Sequence, residues 1–128
     1  MLRITRVKSL PGMIFLIEGS KSDWNTINLS CEQVLKLVPH RDFGCRLVMT
    51  VDDFRKFHIR LSTLLSKQEE SKISSDYFTL NDLKTFRRIL NEVCNGINIP
   101  EFETTLQNTR SNLHDWLQAF KTIINEHS

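Results

Sequence analysis

Glycine is scarce in this chain, with four residues in 128 and no two within six positions of each other. A loop that cradles phosphate needs closely spaced glycines whose backbone can approach an anion, so glycine-loop nucleotide chemistry is excluded. Cysteine is also sparse. Cys31, Cys45 and Cys94 are odd in number and far apart, which rules out the disulfide framework of a small secreted domain and fits a reducing, cytoplasmic compartment. Long apolar runs are missing too: Met13 to Ile17 is five residues, and Arg3 and Arg6 follow close on Met1, so neither a signal peptide nor a membrane span is expected. Without an export signal, the acceptor-like triplet Asn28, Leu29, Ser30 reads as a chance match for glycosylation. Finally, no strong charge of one sign is present. Seventeen Lys and Arg against fifteen Asp and Glu leave a net charge of +2, too little for general electrostatic capture of nucleic acid.

What is present is the balance of an ordinary globular protein, 40% hydrophobic and 25% charged, in a length that suits one domain over residues 1–128. Leu2 to Val7 and Met13 to Glu18 read as a β-hairpin, with Pro11 and Gly12 at the central positions of a type II turn. The second strand, apolar at five successive positions, is expected to be central and covered on both faces. Trp24 to Leu29 is expected to add a short strand. Ser30 with Gln33 reads as a capping box for two helical turns that stop before Pro39, Arg41 to Gly44 as a turn, and Arg46 to Thr50 as another strand.

The second half has clearer helical periodicity. Thr50 with Asp53 starts a helix over 51–67, whose apolar stripe runs through Phe54, Phe57, His58, Leu61, Leu64 and Leu65. Gln68 to Asp76 is polar and reads as a flexible loop. Thr79 with Asp82 starts a third helix that ends at Asn95 and Gly96. Ile99 and Pro100 open a short helix carrying Phe102 and Leu106, and Thr109 or Ser111 begins the last one. The fold class expected is therefore α+β: a small, mostly antiparallel sheet, made of the N-terminal hairpin plus one or two strands, packed by three to five helices, with the C-terminal half all helical.

No chemistry stands out. The series Cys31, His40, Cys45, His58 has metal-ligating types at intervals that match no ligand spacing, so no metal site and no cofactor are expected, and the thiols read as small buried side chains. Cys94 near a helix C-terminus sits where the macrodipole opposes a thiolate, and His58 on an apolar stripe reads as a core or boundary residue. His114 with Asp115 reads as a surface pair. No catalytic residue is assigned, and a non-enzymatic protein is expected. The two C-terminal helices have the outline of a DNA-reading motif, but residues 101–128 carry two basic groups against four acidic ones, which argues against it. Residues 1–60 hold ten basic and six acidic groups, a net of +4, while residues 61–128 hold seven and nine, a net of −2. The candidate partner-binding basic patch is Arg55, Lys56 and Arg60 on the second helix with Arg87 and Arg88 on the third, a patch only if those helices are neighbours.

The run Leu90, Asn91, Glu92, Val93, then Gly96, Ile97, then Ile99, Pro100, Glu101, Phe102, Glu103 resembles a motif of small uncharacterised bacterial proteins. It implies a structural corner: a helix end, a glycine cap and a proline-started helix. In size and layout the chain is also similar to the toxin-immunity proteins of contact-dependent inhibition systems. That likeness implies a protein-binding module that occludes a toxin or other macromolecule, or a homodimer. The alternative is a regulatory nucleic-acid binder using the basic N-terminal half.

Overall fold

A computed structural model describes residues 2–67 and 73–127. Three strands, β1 (Arg3–Arg6), β2 (Ile14–Ser20) and β3 (Ile73–Thr79), form one antiparallel sheet in the order β1-β2-β3. Six α-helices accompany them: α1 (Lys21–Leu37), α2 (His40–Leu47), α3 (Val51–Ser66), α4 (Leu80–Asn91), α5 (Phe102–Leu106) and α6 (Arg110–His127). A π-helical turn, Glu92–Gly96, continues α4. The α+β class holds, with everything regular from Leu80 onward helical.

The hairpin forms as its sequence predicts, and Gly12 takes φ +79°, the left-handed value that the third position of a type II turn requires. Beyond it the local reading changes. Trp24 to Leu29 is not a strand: α1 begins at Lys21, where Ser20 Oγ accepts from Asp23 N (3.1 Å) and Asp23 Oδ2 accepts from Ser20 N (2.9 Å). This capping box replaces the expected one at Ser30, whose hydroxyl instead donates to Thr26 O (2.8 Å) inside the helix. Arg41 to Gly44 and the expected strand at Arg46 to Thr50 give way to α2, which stops at Val48 in the left-handed region (φ 55°).

The third strand comes from the expected polar loop. Of that segment, residues 68–72 lie outside the described residues, while Ile73–Thr79 pairs along β2 from Ser20↔Ile73 to Ile14↔Thr79. Thr50 and Thr79 cap α3 and α4 as predicted, accepting from Asp53 N and Asp82 N at 3.1 Å each, and Thr109 does the same for α6 from Asn112 N (3.1 Å).

Strand alternation sorts the sheet into two faces. Phe15, Ile17 and Phe78 point to the core and are fully buried, covered by helices. The centre of that core is Phe86 of α4, whose ring lies 5.1 Å from Phe57 of α3, 5.0 Å from Phe78 of β3 and 5.2 Å from Phe120 of α6. Each buried aromatic contributes about 1.5–3 kcal/mol by burial, and each ring pair adds about 0.5–1.5 kcal/mol. The opposite face, with Arg3, Thr5, Ile14, Leu16, Glu18, Ser75 and Tyr77, holds no buried side chain. β2 is thus central, as expected, but covered on one face only.

Candidate functional site

The five basic residues singled out from the sequence do not gather into one surface. Arg55 and Lys56 lie on the exposed side of α3, each beside a first-turn carboxylate of its own helix, Asp52 at 3.7 Å and Asp53 at 3.9 Å. Exposed pairs of this kind contribute little to stability. Arg60 is occupied internally. Its guanidinium reaches Asp76 (3.2 Å) of β3 and Asp82 (3.3 Å) of α4, donates to the Tyr77 carbonyl, and lies 4.2 Å above the Phe78 ring. It fastens three elements together.

That fastening engages the free edge of β3 at Tyr77. Tyr77 N–H donates to Asp76 Oδ1 (2.8 Å) and Tyr77 C=O accepts from Arg60, so both backbone groups of Tyr77 are already satisfied without a further strand. A charged pair placed on an edge strand disfavours strand addition at that point.

Arg87 and Arg88 stand elsewhere, with four residues that sequence reasoning missed. Together with Asn91 of α4, Arg46 of α2, and Lys121 and Asn125 of α6, they line an open cleft of about 410 Å³. The packing behind it sets the spacing. Arg87 and Lys121 each follow one of two stacked phenylalanines, Phe86 and Phe120, whose rings lie 5.2 Å apart with 17° between their planes. Arg46 is fixed by the Glu92 carboxylate, with Nε 3.3 Å from Oε2 and Nη2 paired to Oε1, and by Gly96 O at 3.2 Å from Nη2. Hydrogen bonding to Glu92 holds the Arg46 guanidinium above its ordinary range.

Glu92 is buried at 6% exposure, and the π-helical turn carries it toward α2. Gly96 is a glycine for this reason and not as a left-handed cap: a methyl group there would overlap the Glu92 carboxylate and lie 3.2 Å from Arg46 Nη2.

The candidate ligating and nucleophilic groups stay dispersed. Cys31 lies in α1, His40 and Cys45 in α2 and His58 in α3, and no group of three His, Cys, Asp or Glu able to hold a metal occurs among the described residues. Burial pushes the Cys31 and Cys94 thiols up, away from thiolate, whereas Cys45 is exposed and corrects the expectation that it is buried. His58 is half-buried with Nε2 lacking a hydrogen-bond partner, and burial holds its imidazole below the ordinary histidine range against the opposing pull of Glu32. His114 is half-buried beside exposed Asp115 on α6. In the C-terminal helix pair, Arg110 is spent internally, stacked 4.0 Å over Phe102 and donating to Cys94 O (3.2 Å).

No helix among the described residues is long and apolar enough to cross a membrane. In comparisons with known proteins, the chain matches no family model, no curated protein and no solved structure.

Proposed function

We propose that the chain is a non-enzymatic protein-binding module, in its sharpest form an immunity or inhibitor protein that occludes a toxin or another macromolecule. The observation that carries this reading is the uncovered outer face of the sheet. Tyr77 (52% exposed) lies directly opposite half-buried Leu16 and diagonally from Ile14, Ile73 (72% exposed) stands at the other end of β3 opposite Ser20, and Arg3 stands opposite Glu18 on neighbouring strands. Exposed apolar side chains interspersed with a charge-balanced pair suit a protein-docking surface, whereas a nucleic-acid surface needs an excess of cations. The partner is a protein that packs against this face, and at the β3 edge the backbone groups of Tyr77 are already engaged by Arg60 and Asp76. The nucleic-acid alternative has less support, because Arg55, Lys56 and Arg60 each have a carboxylate within 3.9 Å.

A photo-crosslinking residue placed at Ile73, with a control at exposed Gln118 of α6, tests this reading in the native cell. The expected result is one protein joined at position 73 and not at 118, which, once purified, binds the chain 1:1 and loses that binding on Tyr77→Glu without a change in thermal midpoint. A partner whose affinity ignores Tyr77→Glu, crosslinking equal at both positions, or crosslinking only to a second copy of the chain overturns it.

A further inference from the structure

The cationic cleft between α2, α4 and α6 is separate from the sheet face and has a different chemistry. Three of its four cations, Arg87, Arg88 and Lys121, have no carboxylate within ion-pair distance among the described residues. Outside the cleft Arg41, Arg55, Lys56 and Arg60 each have one while Arg3, Lys8, Lys36 and Lys84 have none among the described residues, so the cleft is set apart by gathering three such cations around one concavity. Glu92, the carboxylate beside the cleft, is held by Arg46. Like charges packed together without counter-charge oppose folding, so a fold that holds three of them around one concavity retains a repulsion that an incoming anion would relieve. Arg88 feels this directly: partial burial, and after it the charge of Arg87, holds its guanidinium below the ordinary range.

We propose that this cleft binds a compact phosphate ester bearing two or more negative charges, of nucleotide or sugar-phosphate size. Arginines supply paired N–H donors that match two phosphate oxygens at once, and Lys121 adds a point charge from the facing helix. Arg46 is the positioned member, its fork held by Glu92 and Gly96 so that the α2 side of the cleft is fixed before a ligand arrives. The two amides complete the set. Asn91 Oδ1 accepts from Asn95 (3.1 Å), which leaves the Asn91 N–H groups as its free donors, and Asn125 offers both a donor and an acceptor to the uncharged part of the ligand.

The volume, about 410 Å³, falls in the range of small-molecule sites. Geometry also selects a compact anion over a polymer. A nucleic-acid backbone is followed by cations strung along a groove. Here the cations come from three helices onto one volume, and the basic residues of α3 outside it have carboxylates at their sides.

Isothermal titration calorimetry at low salt with pyrophosphate, with adenosine monophosphate and with uncharged adenosine tests the site. Both phosphate probes are expected to saturate at one per chain, with adenosine silent. Arg88→Gln and Lys121→Gln are each expected to weaken the phosphate probes by about 10- to 100-fold, the effect of losing one charge-assisted contact. Because each variant removes a like charge, its thermal midpoint should stay level or rise, which separates lost binding from lost folding. The proposal is overturned by absence of saturable heat with both phosphate probes in the wild-type chain. It is equally overturned by unchanged affinity in both variants, or by tighter binding to a short single-stranded oligonucleotide or to phosphatidic-acid vesicles than to either small ester.

Discussion

Replacing Arg46 by methionine leaves the Glu92 carboxylate with no cation, at a position where its side chain is only 8% exposed. Breaking a fully buried pair by removing one partner costs about 3–5 kcal/mol. The Arg46 side chain is itself 30% exposed, so water can reach the vacated space, and the expected loss drops to about 2–3 kcal/mol. For a chain of 128 residues that corresponds to a fall of about 8–11 °C in thermal midpoint. Glu92→Gln keeps an acceptor for Arg46 and removes the charge, at about 1 kcal/mol. In the Arg46→Met, Glu92→Gln double variant a neutral amide takes the place of the stranded carboxylate. The combined loss should therefore fall short of the sum by about 1–2 kcal/mol. Urea unfolding at neutral pH, followed by far-ultraviolet circular dichroism and by fluorescence of the buried Trp24 and Trp116, gives all four corners of this cycle. If Arg46→Met costs under about 0.5 kcal/mol, or if the two losses simply add, the pair does not anchor α2 to the end of α4.

Two further outcomes follow from buried groups. With His58 held below its ordinary value of 6.5, mainly by burial, the unfolded chain takes up a proton there more readily than the folded one. Its contribution is fully present above pH 6.5 and declines as pH falls toward the folded-state value, so the slope of unfolding free energy against pH below 6.5 should flatten in His58→Leu; an unchanged slope refutes this. Titration with a thiol-reactive disulfide should modify Cys45 alone in the native protein and all three cysteines in denaturant, and rapid native modification of Cys31 or Cys94 would contradict their burial.

The α+β class was legible because its signals are local. Pro11 with Gly12, Thr50 with Asp53, and Thr79 with Asp82 each fix a turn or a helix start within four residues. The start of α1 follows the same rule but was missed, although Ser20 stands three residues before Asp23 and Trp24, Ile27, Cys31 and Val34 follow at helical spacing. Ile27 and Leu29 in alternation hid it. β3 was hidden for a different reason: two of its core-facing positions are Ser74, whose carbonyl accepts from Trp24 Nε1 (3.1 Å), and Asp76, which pairs with Arg60. A strand held by a backbone bond from 50 positions away and by a carboxylate paired 16 positions away looks, in sequence, like a loop. The same limit applies to the cleft. Arg87 and Arg88 were found as neighbours, but Arg46 and Lys121 join them only through the packing of α2 and α6 on α4, and no spacing rule spans that distance.

The pairing of β2 with β3 has a consequence for how the chain is made. Ser20 meets its partner Ile73 some 53 positions later, so β2 leaves the ribosome long before its neighbour on that side exists. At ordinary elongation rates the interval is about 3–10 s. During it the MIFLI segment has only the short β1 hairpin beside it in the sheet, and an unpaired apolar strand is prone to stick to other chains.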